Sequence, residues 1–125
     1  MPAMRVFMYR EEEGAIPLLE WLREIKPDKG VAKCLDVIEL LKQEGNGLRR
    51  PYADSLRDGI HELRAQFRSV QYRILFFFHE SSAVLSHGFI KKRAKVPDRE
   101  IKLALARKET YRGNPDQHAY EEPTP

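Results

Sequence analysis

"VQYRILFFFH", Val70 to His79, decides the fold. In an extended strand alternate side chains point to opposite faces, so Tyr72, Ile74, Phe76 and Phe78 share one face. Arg73, Leu75, Phe77 and His79 share the other. Both faces are largely apolar, and such a strand needs cover on both sides. The flanking stretches, "GIHELRAQ" from Gly59 and "AVLSHGFIKK" from Ala83, also read as strands. Their connectors, at Phe67 to Ser69 and Glu80 to Ser82, are short enough to imply antiparallel neighbours.

The cover comes from helical periods on either side of this block. "MRVFMY", residues 4–9, reads as a short strand with Val6 and Met8 on one side and Arg5, Phe7 and Tyr9 on the other. Pro17 suits a first helical turn, and Leu18, Leu19, Leu22 and Ile25 repeat at helical spacing before Pro27 stops the run. A second helix starts near Asp28, with Val31, Leu35, Ile38 and Leu41 as its apolar stripe and "EGNG" as its end. A last helix runs from Pro97 to about Arg112, with a stripe of Ile101, Ala104, Leu105, Lys108 and Tyr111 that is only moderately hydrophobic. It is expected to cover the second face of the sheet partially and to leave a cleft. Trp21 and Cys34 read as packing residues. The expected class is α+β, in the order βααβββα, with one domain over residues 1–112 and a disordered acidic tail over residues 113–125.

At 125 residues the chain suits one core rather than two. No apolar run approaches the roughly 20 residues needed to span a bilayer, the N-terminal stretch lacks the order of a signal peptide, and a lone cysteine makes no internal disulfide. These features point to the cytoplasm. Charge is unevenly spread: residues 1–48 carry seven Lys/Arg against nine Asp/Glu, residues 49–112 fifteen against seven, and the tail three acids. A basic middle suits a polyanionic partner, nucleic acid above all, because clustered cations displace counterions condensed on phosphates. A solvated Lys/Arg-rich surface is the plainer alternative.

Within that basic stretch, Arg64 and Arg73 lie on successive strands and converge if both fall on the less covered face. Arg64 has two readings: a half-buried ion pair with Glu62 or another acid, the commoner fate of a strand arginine, or an anion-binding group. Arg73 sits between Tyr72 and "ILFFF", where a charge is expensive unless a partner or a ligand anion meets it. Past the last strand, Lys91, Lys92, Arg93 and Lys95 gather at the expected mouth of the cleft. Ammonium and guanidinium groups placed around a phosphate bind it and neutralise charge as a pentacoordinate transition state forms, which suits phosphodiester cleavage. Arg49, Arg50 and Arg57 in "LRRPYADSLRDG" either track an RNA backbone or sit on a solvated loop. Tyr111 either anchors its helix or brings a phenol to the cleft. His61, His79, His87 and His118 are scattered at no metal-ligand spacing, and alternation groups His87 with Leu85 and Phe89 at the edge of the core. No metal and no cofactor are implied.

"DGIHELR", "YRILFFF" and "GFIKKRAKVPDREIKLALARKETY" together resemble the RelE-like bacterial toxins, in the phage-derived HigB-type branch of the RelE/ParE superfamily. The resemblance covers residues 4–112 and implies an antiparallel sheet with two N-terminal helices and one C-terminal helix. It implies a type II toxin: a metal-free endoribonuclease that cuts mRNA in the ribosomal A site and is neutralised by a cognate antitoxin, commonly a helix-turn-helix protein. Attack by the RNA 2′-hydroxyl on its own adjacent phosphate is expected to leave 2′,3′-cyclic phosphate ends. It assigns Arg73 to the scissile phosphate, fits Arg64 to the ELR arginine and Lys91 and Lys92 to a lysine pair, and carries over to Tyr111 least well. The resemblance departs at one point: where RelE has catalytic lysines, this chain offers Glu62, which leaves the general base unassigned. The ParE branch shares the fold and acts on gyrase, so a non-catalytic binding module is the alternative.

Overall fold

The computed structural model describes residues 4–122. Chain order is β1 (Arg5–Tyr9), α1 (Pro17–Glu24), α2 (Asp28–Glu44), a short 3₁₀ turn (Gly45–Gly47), β2 (Ala53–Arg57), β3 (Ile60–Phe67), β4 (Val70–His79), β5 (Ser82–Lys91), α3 (Asp98–Gly113), α4 (Pro115–His118) and β6 (Ala119–Tyr120). The strands form one sheet in the order β2-β3-β4-β5-β1-β6. The class is α+β, compatible with a RelE-like fold.

The alternation read in β4 holds. Tyr72, Ile74, Phe76 and Phe78 pack with α1 and α2, while Leu75 and Phe77 pack with Ile101, Ala104 and Tyr111 of α3. Each large side chain taken fully out of water contributes roughly 1.5–3 kcal/mol, so the two clusters on β4 hold both layers to the sheet. Three hairpins join β2 to β5 in antiparallel sequence. The first turns on Asp58 and Gly59, both at positive φ (53° and 81°), the pairing a type I′ turn requires.

Four expectations need correction. The sheet is not wholly antiparallel, because β1 pairs with β5 in parallel; alternation reveals a strand's faces but not its neighbour. The segment "ADSLR", expected as loop, is the edge strand β2. Its outer residues are exposed, so it lacks an apolar pattern. Leu35 is 49% exposed, and the buried stripe of α2 runs instead through Gly30, Cys34, Val37, Ile38 and Leu41. That stripe begins on a glycine whose bare Cα fits against the Tyr72 hydroxyl, a signal that a search for apolar residues passes over. Burial there pushes the Cys34 thiol up to about 12.

The fourth correction concerns the segment after Gly113, expected to be disordered. To Glu122 it is ordered: β6 pairs with β1, the Arg10 N–H donates to the His118 carbonyl at 2.8 Å, and the His118 ring stacks on Tyr9 at 5.3 Å. Hydrogen bonds to β1, rather than apolar bulk, anchor it, and composition carries no sign of them. Residues 123–125 lie outside the described residues.

Candidate functional site

The sheet register sets Arg64 directly opposite Arg73, and Asp54 directly opposite Glu62 one row away. Like charges facing each other across strands repel, yet here each row compensates the other. Glu62 is 2% exposed and takes both arginines: its Oε2 lies 2.9 Å from Arg64 Nη2 and its Oε1 3.1 Å from Arg73 Nε. Arg64 also reaches Asp54 at 3.2 Å, and Asp54 in turn holds Arg50 at 2.7 Å. The Arg50 hydrogen bond, foremost, holds the Asp54 carboxyl below its ordinary range.

The two arginines differ in access. The Arg73 side chain is 7% exposed and that of Arg64 29%. Burial lowers the Arg73 pKa, against the pull of Glu62. The 3.1 Å contact between Arg73 Nε and Glu62 Oε1 pairs the charges without hydrogen-bond alignment, and both atoms are buried. Arg73 Nη1 donates instead to the Tyr72 carbonyl at 3.1 Å and to Gln71 Oε1 at 3.3 Å.

Helix α3 covers Ile60, Leu75, Phe77 and Val84, further along the sheet from these arginines, and leaves their end of the face less covered. Beside the pair on that face lie Phe89, opposite Arg73, and in the next row Gln66, Gln71 and Lys91. Because β2 pairs with β3 only from Ala53 opposite Leu63, the edge of β3 beyond that point opens onto a cavity of about 490 Å³. Its wall includes Lys33 and Asp36 of α2, Tyr52, Arg64, Gln66, Gln71 and Arg73.

Lys91 thus falls on the same face as the arginine pair. Lys92, Arg93 and Lys95 are exposed in the stretch that leads to α3. Among the described residues none of these four cations has a carboxylate partner. Arg57 is tied to Asp58 and Asp98 at the start of α3. Arg49 donates to the Asn46 carbonyl at 2.7 Å, and with Arg50 lines a second cavity, with His61, Phe76 and Phe78, on the α2 side.

Tyr111 does not join the cluster. It is 2% exposed and packs against Phe77 and His79, with ring centroids 5.8 and 5.1 Å apart. Phe77 lies four residues beyond Arg73 on β4, on the order of 13 Å at strand rise. The last helix runs away from the arginines, so Tyr111 in its last turn reaches the opposite end of the sheet.

His87 belongs to a different arrangement. A β-bulge leaves Ser86 as the additional residue between His87 opposite Leu75 and Leu85 opposite Phe76. Leu85 therefore faces α1 and α2, while His87 and Phe89 face α3, contrary to simple alternation. His87 Nε2 lies 3.0 Å from Glu100 Oε1, and its Nδ1 2.8 Å from Ser86 Oγ. A carboxylate only accepts, so Nε2–H donates to Glu100 and Nδ1 accepts from the hydroxyl. Burial holds this imidazole below its ordinary value despite Glu100. Ser86 is 0% exposed, so the Ser-His-Glu chain ties β5 to α3 and offers no reachable nucleophile. Among the described residues no three His, Cys, Asp or Glu side chains converge as a metal-binding group.

A mixed sheet with two helices on one face, one long helix on the other, and a cationic cluster on the uncovered end defines an α+β protein of the RelE-like class. A family model described as Phage derived protein Gp49-like (DUF891) matches residues 20–109, and the chain belongs to that family. The family lies in the RelE/toxin-like group, consistent with the toxin of a toxin-antitoxin pair. Comparison with curated proteins finds no match. No helix among the described residues is long and apolar enough to cross a membrane.

Proposed function

We propose that this protein is a HigB-type toxin that cleaves mRNA on the ribosome without a metal ion and is held inactive by a cognate helix-turn-helix antitoxin in the cytoplasm. The observation that supports this reading is the Arg64–Arg73 pair, fixed side by side through one buried carboxylate, with Lys91 one row away on the same open face.

The chemistry needs little else. The RNA 2′-hydroxyl attacks its own adjacent phosphorus; the 2′-oxygen–phosphorus bond forms, the bond to the 5′-oxygen breaks, and a 2′,3′-cyclic phosphate and a 5′-hydroxyl result. The substrate itself supplies proximity. Arg64, the more accessible of the pair, and Arg73 hold the phosphate and stabilise the charge of the pentacoordinate state. Lys91 or Lys92 delivers the proton that the departing 5′-oxygen takes up, and the hydroxyl proton leaves to a base that these residues do not identify. Both Glu62 oxygens are engaged by guanidinium groups, so neither is turned toward a substrate hydroxyl. Arg49, Arg50, Arg57, Arg93 and Lys95 contribute backbone contacts, and among the described residues Arg49, Arg93 and Lys95 have no carboxylate to displace.

The same carboxylates favour a second reading. Glu62 and Asp54 already neutralise much of the arginine charge, as in a module of this fold that only binds a partner, gyrase or antitoxin. Expression of the wild type and Arg73→Ala in bacteria, with mapping of mRNA 5′ ends, separates the two. We expect new cuts within translated codons for the wild type, unaffected by EDTA on purified ribosomes, and cleavage on the order of 100-fold slower for the variant. Growth inhibition of full strength from Arg73→Ala, or DNA damage with intact mRNA, would overturn the nuclease reading.

A further inference from the structure

The cavity beside the arginine pair carries a group that the cleavage chemistry does not use. Tyr52 is 47% exposed, an unusual position for a large aromatic ring on an edge with charged neighbours. Its backbone is fixed beside Arg64, because the Tyr52 carbonyl accepts the Arg64 N–H at 2.7 Å, and its side chain lines the same cavity as Arg64 and Arg73.

Opposite each other in the next row are Gln66 and Gln71, about 7 Å along the sheet from Arg64 and Arg73 at strand rise. Their amides are oriented by bonds already made. Gln71 Oε1 accepts from Arg73 Nη1 at 3.3 Å, which leaves its NH₂ free to donate outward. Gln66 Nε2 donates to the Arg68 carbonyl at 2.9 Å, which leaves its oxygen free to accept. The cavity thus presents an exposed aromatic face, one amide donor and one amide acceptor, within a nucleotide's reach of two phosphate-binding groups. An unpaired base has the matching features: a flat π-face and an edge carrying both donors and acceptors.

From this arrangement we infer that the cavity is a nucleobase subsite, in which a base of the nucleotide flanking the scissile phosphate stacks on Tyr52 while Gln66 and Gln71 read its edge. This rests on the nuclease reading but is separable from it. Short RNA probes with 2′-O-methyl riboses, which cannot be cut, are titrated against the full chain by fluorescence anisotropy. One probe carries all its bases, and its twin is abasic at the flanking position. Tyr52→Ala is expected to weaken the base-bearing probe about tenfold and to leave the abasic twin unchanged, and Tyr52→Phe to keep wild-type affinity for both. Gln71→Met, which removes the outward donor without adding a charge beside Arg73, weakens only the base-bearing probe. Equal effects of Tyr52→Ala on the two probes, or none, overturn the subsite. If Arg73→Ala still weakens both probes in that case, the phosphate reading stands without it; if Arg73→Ala changes neither, both fall.

Discussion

Glu62 is where the site and its stability meet. A carboxylate that serves two guanidinium groups, one of them 7% exposed, cannot be removed without stranding charge. Glu62→Ala is therefore expected to cost about 3–5 kcal/mol, read as a lower urea midpoint. Arg64→Ala, at a side chain 29% exposed, should cost clearly less. The sequence offers Arg64 and Arg73 on successive strands, converging only if both fall on the less covered face, with Lys91 at the end of the next strand; the register meets that condition. Parity cannot reveal that Glu62 lies between them rather than beside one of them, since that depends on register. Tyr52 escapes notice for a related reason. Its segment has no strand pattern, so nothing marks it as the neighbour of Arg64 until β2 is seen to pair. Tyr111 shows the opposite error: helical period gives its face correctly but not how far along the sheet that face travels.

At the level of elements, apolar period finds α1, α2 and α3 and the three long strands, because each buries a continuous stripe. Close approaches that depend on a missing side chain are harder to read. Gly88 of β5 passes beneath the Trp21 ring of α1 with no room for a Cβ, and this contact sets how closely helix and sheet pack. Gly88→Ala forces the two apart, with an expected loss of about 1–3 kcal/mol. Trp21 is the sole tryptophan, so its fluorescence reports both the shift and the unfolding curve. The bulge at Ser86 is equally silent in the sequence. Were Ser86 paired in regular alternation instead of bulged out, Phe89 and Lys91 would fall on the α1 and α2 side of the sheet, and the cationic face would lose its third strand.

The whole molecule carries a pH dependence that follows from one buried imidazole, His87, and one half-buried, His61. Burial, foremost, holds both His61 and His87 below their ordinary value; Glu100 and Arg107 face His87, and Lys108 and Asp54 act on His61. In the unfolded chain both titrate near about 6.5, so below that pH the unfolded state binds more protons and gains on the folded one. Stability is complete above about pH 6.5 and falls as the pH drops toward the folded-state values. Thermal melts by circular dichroism between pH 7.5 and 5 should show the midpoint decline, with a shallower slope in His87→Gln. Charge at this scale was also legible: the excess of cations in residues 49–112 reappears as the open face with Arg64, Arg73 and Lys91.

The short strand β6 has a further role by position alone. With β6 in place, the outer flank of β1 has a partner; with it removed, the sheet would end at β1 in a naked ladder of amides and carbonyls. Bare ladders recruit strands from other molecules. Two residues of backbone pairing thus act as a stopper against self-association.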